Sequence, residues 1–290
     1  MSIEWQIEQG KLRKAIQYGE LISRNCDILK PPVDPFVIIK NERKRIKAFG
    51  DDFRNAFDGR LEFQRPAFLL FYNTKYNSWK HSGKHHPKVV FTIGHELGHY
   101  FLEHHRNYLM NGGGSHGSVT DFQSNRLVER EADCFASGLL MPKYLLGRIV
   151  NEKAPTLDRV KQTRDQFQVS LTSMLVRWVQ LCDFPCAIVS VSGGAIKWGF
   201  CSPGFKRLHG YRIRRGVAVS SRQAKHFLQA DPSFSTFREG TGCSVASNWI
   251  ANDKLSFVVD EQYLVVPSTQ QMLVFITADE DEVASFADYR

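Results

Sequence analysis

Nothing in this chain approaches the roughly 20 consecutive apolar residues of a membrane-spanning helix. Its start, Met1-Ser2-Ile3-Glu4-Trp5-Gln6-Ile7-Glu8, has no apolar stretch behind a basic head, so no secretory leader is expected. Cysteine is sparse: Cys26, Cys134, Cys182, Cys186, Cys201 and Cys243 show no close-paired zinc or redox pattern. They read as reduced, structural thiols of a cytoplasmic protein with no membrane partner. Acidic residues fall short of basic ones, 30 against 38, and the net charge of +8 favours acidic partners. Part of the excess sits in two clusters, Lys40, Arg43, Lys44, Arg45 and Lys47, then Lys206, Arg207, Arg212, Arg214 and Arg215. Neither cluster has stacking aromatics or a base-reading pattern, so a solvated surface is expected for both, and direct nucleic-acid binding stays open.

What is present is ordinary globular material. The 290 residues are 42% hydrophobic and 23% charged, enough for one large or two to three small domains without staples. The exceptional stretch is Phe91-Thr92-Ile93-Gly94-His95-Glu96-Leu97-Gly98-His99-Tyr100-Phe101-Leu102. His95 and His99, four apart on a helix, can aim two imidazoles at one point, the arrangement that suits Zn²⁺. Glu96 lies about 100° round the same helix, where it can reach a water without ligating the metal. The flanks Val89, Val90, Ile93, Leu97 and Tyr100 make the helix mostly buried. Buried histidines without partners are costly, which favours a bound metal over a wet polar face.

Zinc wants a third protein ligand and an open fourth position. Downstream, Val128, Ala132, Phe135, Ala136 and Leu139 form an apolar stripe at helical spacing. Glu129 and Asp133 border that stripe, while Arg130, Glu131 and Cys134 turn away from it. Glu129 is therefore the third-ligand candidate, and Asp133 is placed to hold the N–H of a ligating imidazole. Glu131 reads as a solvated carboxylate and the reserve ligand.

His95-Glu96-Leu97-Gly98-His99, followed by Glu129-x-x-Ala132-Asp133-x-Phe135-Ala136-x-x-Leu139-Leu140-Met141-Pro142, resembles the ImmA/IrrE family of bacterial metallopeptidases in order and spacing. The resemblance implies a zincin-like core in which His95, His99 and Glu129 hold zinc and Glu96 is the catalytic base. It also implies a regulatory, stress-responsive endopeptidase that cleaves a helix-turn-helix transcriptional repressor. The rival is a non-proteolytic DNA-binding or ligand-sensing regulator using the zincin fold as scaffold; the intact Glu96 speaks against it. Val90 stands where family members often have Arg, and Gly94 where Ala is usual, so substrate contacts near the helix start do not carry over. Tyr72, Tyr100 and Arg126 are open alternatives for the oxyanion donor.

The expected class is α+β, with a small sheet plus the His-Glu-x-x-His helix forming a metallopeptidase domain over 1–150. A helix-turn-helix-like segment over 151–183 and a C-terminal α/β domain over 184–290 follow; by resemblance the last is GAF-like and sensory. Within the first domain, a helix runs from Ile3 to about Leu29 with Trp5, Leu12, Ile16 and Leu21 apolar. The stretch Asn41 to Phe57 is helix-like. Ala67 to Asn73 is the clearest strand, and by resemblance it borders the cleft and pairs with substrate. His81, His85 and His86 read as a solvated loop, and His104 and His105 as cations ending the motif helix. Residues 108–119, with Gly112-Gly113-Gly114, read as a flexible connection. The helices from Leu157 and from Val169 offer only Thr172, Ser173, Arg177 and Gln180 to base edges, so they read as a structural pair packed on the core. Strands follow at 187–191, 195–200, 255–259, 263–266 and 272–276, with a helix around Ser221 to Ala230.

Overall fold

The computed structural model describes residues 3–77, 85–114, 126–206 and 212–286. They fall into two compact units, Met1–Leu146 with Arg164–Ser170, and Gly147–Thr163 with Leu171–Arg290. Contacts thus divide the chain at other positions than the expected 150/151 and 183/184. Among the described residues, no helix is long and apolar enough to cross a membrane.

The first unit opens with α1, Ile3–Asn25. Its buried residues, Leu12, Ala15, Gly19 and Ser23, recur at helical spacing and face a later helix, α5, whereas Trp5 and Leu21 of the expected apolar set are exposed. A Cβ on Gly19 would sit 2.2 Å from the Phe135 carbonyl oxygen, and one on Gly138 2.1 Å from that of Ile16. Glycine on both helices lets the backbones touch.

A short α2, Pro35–Asn41, is capped by Asp34, whose Oδ1 accepts from the Phe36 N–H at 2.9 Å. The helix expected from Asn41 onward is instead a turn and a strand, β1, Ile46–Asp51. Lys and Arg surround that stretch without an apolar stripe, so no helix face could be buried, and parallel pairing with a later strand decides its form. Next come β2, Gly59–Gln64, and β3, Ala67–Asn73. The sheet order is β1-β3-β2, with β2 antiparallel to β3. The expected strand at Ala67–Asn73 is present, but it is central, both of its edges taken. The motif helix packs on both β2 and β3, and of these two β2 is the edge strand.

Packed on this sheet are α3, Pro87–Phe101, and α4, Glu103–Met110; α5, Leu127–Leu140, and α6, Lys143–Asn151, follow. His86 caps α3, its Nδ1 accepting from the Lys88 N–H at 3.1 Å, and His85 stacks on Phe36 at 4.6 Å. These two are therefore structural rather than loop residues in water; His81 lies outside the described residues. Gly112 adopts φ 83°, and residues 115–119 of the glycine-rich connection likewise lie outside them.

Two helices, α7, Leu157–Phe167, and α8, Leu171–Leu181, flank a turn in which Gln168 takes φ 55°. Ser173 and Arg177 are buried, which removes two of the four polar side chains from any base edge. The second unit continues with β4, Cys186–Ser192; β5, Ala195–Cys201; α9, Pro203–Lys206; α10, Arg222–Gln229; β6, Glu239–Val245; β7, Val258–Val266; β8, Gln271–Thr277; and α11, Glu280–Ser285. The five strands form one antiparallel sheet in the order β5-β4-β8-β7-β6. The two strands expected at 255–259 and 263–266 are one strand. Helix α8 lies on β4 and β5, so for α8 the expectation of packing on the peptidase core is corrected: Met174, Leu175, Trp178 and Val179 are buried in the unit of the second sheet, whereas Arg164–Ser170, the end of α7 and the turn, belong to the first unit. Arg214 and Arg215 of the second basic cluster bond main-chain carbonyls of Ser247, Ile250 and Gly199, whereas all five members of the first cluster are exposed.

The second unit buries Glu261, which accepts from Ser221 Oγ at 2.9 Å and Trp249 Nε1 at 2.6 Å, and from Ser244 and Tyr263 hydroxyls. A buried donor left without its acceptor costs ~1–3 kcal/mol, so Glu261→Ala should lower stability by on the order of 3 kcal/mol or more. Urea unfolding followed by tryptophan fluorescence measures this; an unchanged midpoint would show that the cluster contributes nothing.

Candidate metal centre

Helices α3 and α5 approach closely because their facing residues are small. A Cβ on Gly98 would lie 3.1 Å from Ala132 Cα, and one on Gly94 3.3 Å from Ala136 Cβ. Gly94 thus has a packing reason where alanine was the expected residue. The close crossing brings the histidines of α3 against the carboxylates of α5.

His95 Nε2 lies 3.1 Å from His99 Nε2 and 3.3 Å from Glu129 Oε2, which is 3.9 Å from His99 Nε2. On its other side, His95 Nδ1 is 2.8 Å from Asp133 Oδ1. A carboxylate there accepts a hydrogen bond from Nδ1–H, which in the neutral ring leaves the Nε2 lone pair free to face a metal ion. Three potential donor atoms from His95, His99 and Glu129 therefore converge in a largely buried place, where either a proton on His95 or a bound metal ion relieves their repulsion. Burial disfavours charge on His95, but Asp133 and Glu129, with Glu96 nearby, outweigh it and raise its pKa to about 10 when no metal is bound. The donor set, two imidazole nitrogens and one carboxylate, fits a zinc-type ion.

Glu96 is buried and lines, with His99 and Glu129, a cavity of about 360 Å³ also bordered by Leu61, Tyr108 and Arg126. Strand β2 presses on it: a Cβ on Gly59 would sit 2.6 Å from Glu96 Oε1 and 2.5 Å from Thr92 Cγ2. Of the oxyanion alternatives, Arg126 lines the cavity. The Tyr100 hydroxyl donates to Glu42 at 2.8 Å, and Tyr72 packs on Phe36 and His85, both away from the cavity walls. Tyr108, expected to begin a flexible connection, instead lies in the last turn of α4 and lines the cavity. Val128, expected in the buried stripe, is exposed and borders the cavity.

Glu131 is the clearest correction. It is buried, and its Oε2 receives His104 Nε2 at 3.0 Å and His105 Nε2 at 3.4 Å. The cause is the break at Leu102, whose ψ of 114° ends α3 and starts α4, turning both histidines back toward α5. They therefore sit in the first turn of α4 and do not end the motif helix as cations. Burial, helped by the neighbouring His104, pushes the His105 pKa down to about 4, so that imidazole is neutral at pH 7.

This geometry defines a zincin-like, metallopeptidase-type domain, and the family comparison concurs. Residues 81–179 match the family model of the IrrE N-terminal-like domain, Peptidase_M78, and the match supports an ImmA/IrrE assignment for that part of the chain. No curated protein matches the sequence. Among solved structures, the chain resembles a Mycobacterium tuberculosis transcriptional regulator at TM-score 0.57 and 13% identity, over 94% of this chain and 77% of that one. At that identity the likeness is one of fold.

Proposed function

We propose that this protein is a cytoplasmic zinc-dependent endopeptidase that cleaves a helix-turn-helix transcriptional repressor. The observation that carries the reading is the convergence of His95, His99 and Glu129 at a cavity whose wall also holds Glu96. A zinc ion held by those three side chains would supply a Lewis acid for the scissile carbonyl and make water acidic enough to attack. Asp133 fixes the His95 tautomer through its 2.8 Å bond. Glu96 takes the proton of the attacking water and returns it to the leaving nitrogen. Burial keeps Glu96 away from bulk water, and Gly59 leaves it the space it occupies. The outer edge of β2 offers main-chain groups to an extended substrate, with Leu61 facing the cavity. Arg126 and Tyr108 are the candidates to receive the developing oxyanion.

The second unit is read as the GAF-like sensory part, and its antiparallel sheet supports that reading. A second functional reading, the non-proteolytic regulator on a zincin scaffold, draws on the fold likeness to a transcriptional regulator. Incubating the purified, zinc-loaded protein with a helix-turn-helix repressor encoded beside it separates the two. Discrete repressor fragments that vanish on chelation are expected. An intact repressor that nevertheless releases its operator would favour the scaffold.

A further inference from the structure

We infer that His105 and Glu131 are positioning residues: a hydrogen-bonded row runs from His99 through His105 to Glu131 and fixes His99 as a metal ligand. The inference rests on the metal-binding reading of His95, His99 and Glu129.

The protons decide the direction of the row. An imidazole that gives its Nε2 lone pair to an ion keeps its single proton on Nδ1. His99 Nδ1 lies 3.0 Å from His105 Nδ1, so His105 must accept there. A neutral His105 accepting at Nδ1 carries its own proton on Nε2, which lies 3.4 Å from Glu131 Oε2. Glu131 is thus the terminal acceptor, and His104 Nε2 gives the same oxygen a second N–H at 3.0 Å. Both His105 and Glu131 are buried, so little water competes for these bonds. The two ligating histidines are then supported in different ways. His95 has a carboxylate directly on Nδ1, whereas His99 has one acting through an intervening imidazole.

The same three residues, His104, His105 and Glu131, bring ligand atoms within 4.8 Å of one another and could be taken for a second metal site. Proton bookkeeping disfavours that. An ion on His105 Nε2 would displace its only proton while Nδ1 is already accepting from His99, leaving His105 as an imidazolate.

Zinc affinity of the full-length protein, measured by competition with a fluorescent chelator, tests the row. Loss of such an outer partner typically costs ~10–100-fold in metal affinity, the drop expected for His105→Phe. His105→Gln should recover most of it, because its amide oxygen can accept from His99 while its NH₂ donates to Glu131. Glu131→Gln, nearly the same shape, should weaken zinc by several-fold, and it tests the row even if His105→Phe does not fold. Rescue by glutamine separates positioning from mere packing. Wild-type affinity in both His105→Phe and Glu131→Gln would overturn the inference. So would two zinc ions per wild-type chain with one lost in His104→Ala. Zinc retained in His95→Ala would instead overturn the underlying metal reading, and the row with it.

Discussion

Glu96→Gln should lower peptide-bond cleavage by ~10²–10⁴-fold, the usual contribution of a positioned general base. It should leave zinc content and melting temperature close to wild type, because Glu96 is not among the three converging donors. Glutamine keeps the size and hydrogen-bonding capacity of the side chain but cannot take a proton. It therefore fits the buried space beside Gly59 and Thr92 while removing the proton acceptor that attack by water requires. Repressor cleavage on co-expression is the readout, with metal content as the control. If Glu96→Gln relieves repression as well as wild type, proteolysis is not how this protein acts.

Gly59→Ala should be nearly as damaging although it removes no functional group. The added methyl would lie 2.5 Å from Thr92 Cγ2, 2.6 Å from Glu96 Oε1 and 3.0 Å from Glu96 Cγ. Contacts that short force something to move, and the Glu96 side chain is the flexible partner. A displacement of about 1 Å of a reacting group can cost ~10²-fold in rate, so a loss of that order is expected with zinc retained. Steady-state cleavage by the zinc-loaded variant measures it. Wild-type kcat would mean that β2 yields instead and that Glu96 is not held by this strand.

Much of the site could be read from residue spacing. His95, Glu96, His99, Glu129 and Asp133 lie on two helices whose apolar stripes were visible, and the structure brings all five together. The part that could not be read depends on a turn and an edge. The break at Leu102 has no glycine or proline to announce it, yet it carries His105 into the interior and makes Glu131 a buried acceptor. Strand β2 is signalled only by the weak alternation of Arg60, Glu62 and Gln64 with Leu61 and Phe63. Which strand borders the site is settled by sheet order, which no local pattern encodes. The basic stretch before Ile46 misled for a similar reason, since its strand exists through pairing with β3. In the second unit, β4, β5 and β8 were legible as apolar runs and α10 as a helix around Ser221 to Ala230, but β6, Glu239–Val245, is polar and glycine-containing and leaves no such trace. Helix α8 looked like the partner of α7 in a motif, whereas its buried face is decided by contact with β4 and β5.

The most direct test is the zinc content of the purified protein and of two single variants, measured by elemental mass spectrometry under saturating zinc. One ion per wild-type chain is expected, with Glu129→Ala losing it and Glu131→Ala keeping one ion more weakly held. Full zinc in Glu129→Ala with none in Glu131→Ala would contradict the assignment, moving the metal from the His95–His99–Glu129 convergence to the His104–His105–Glu131 cluster.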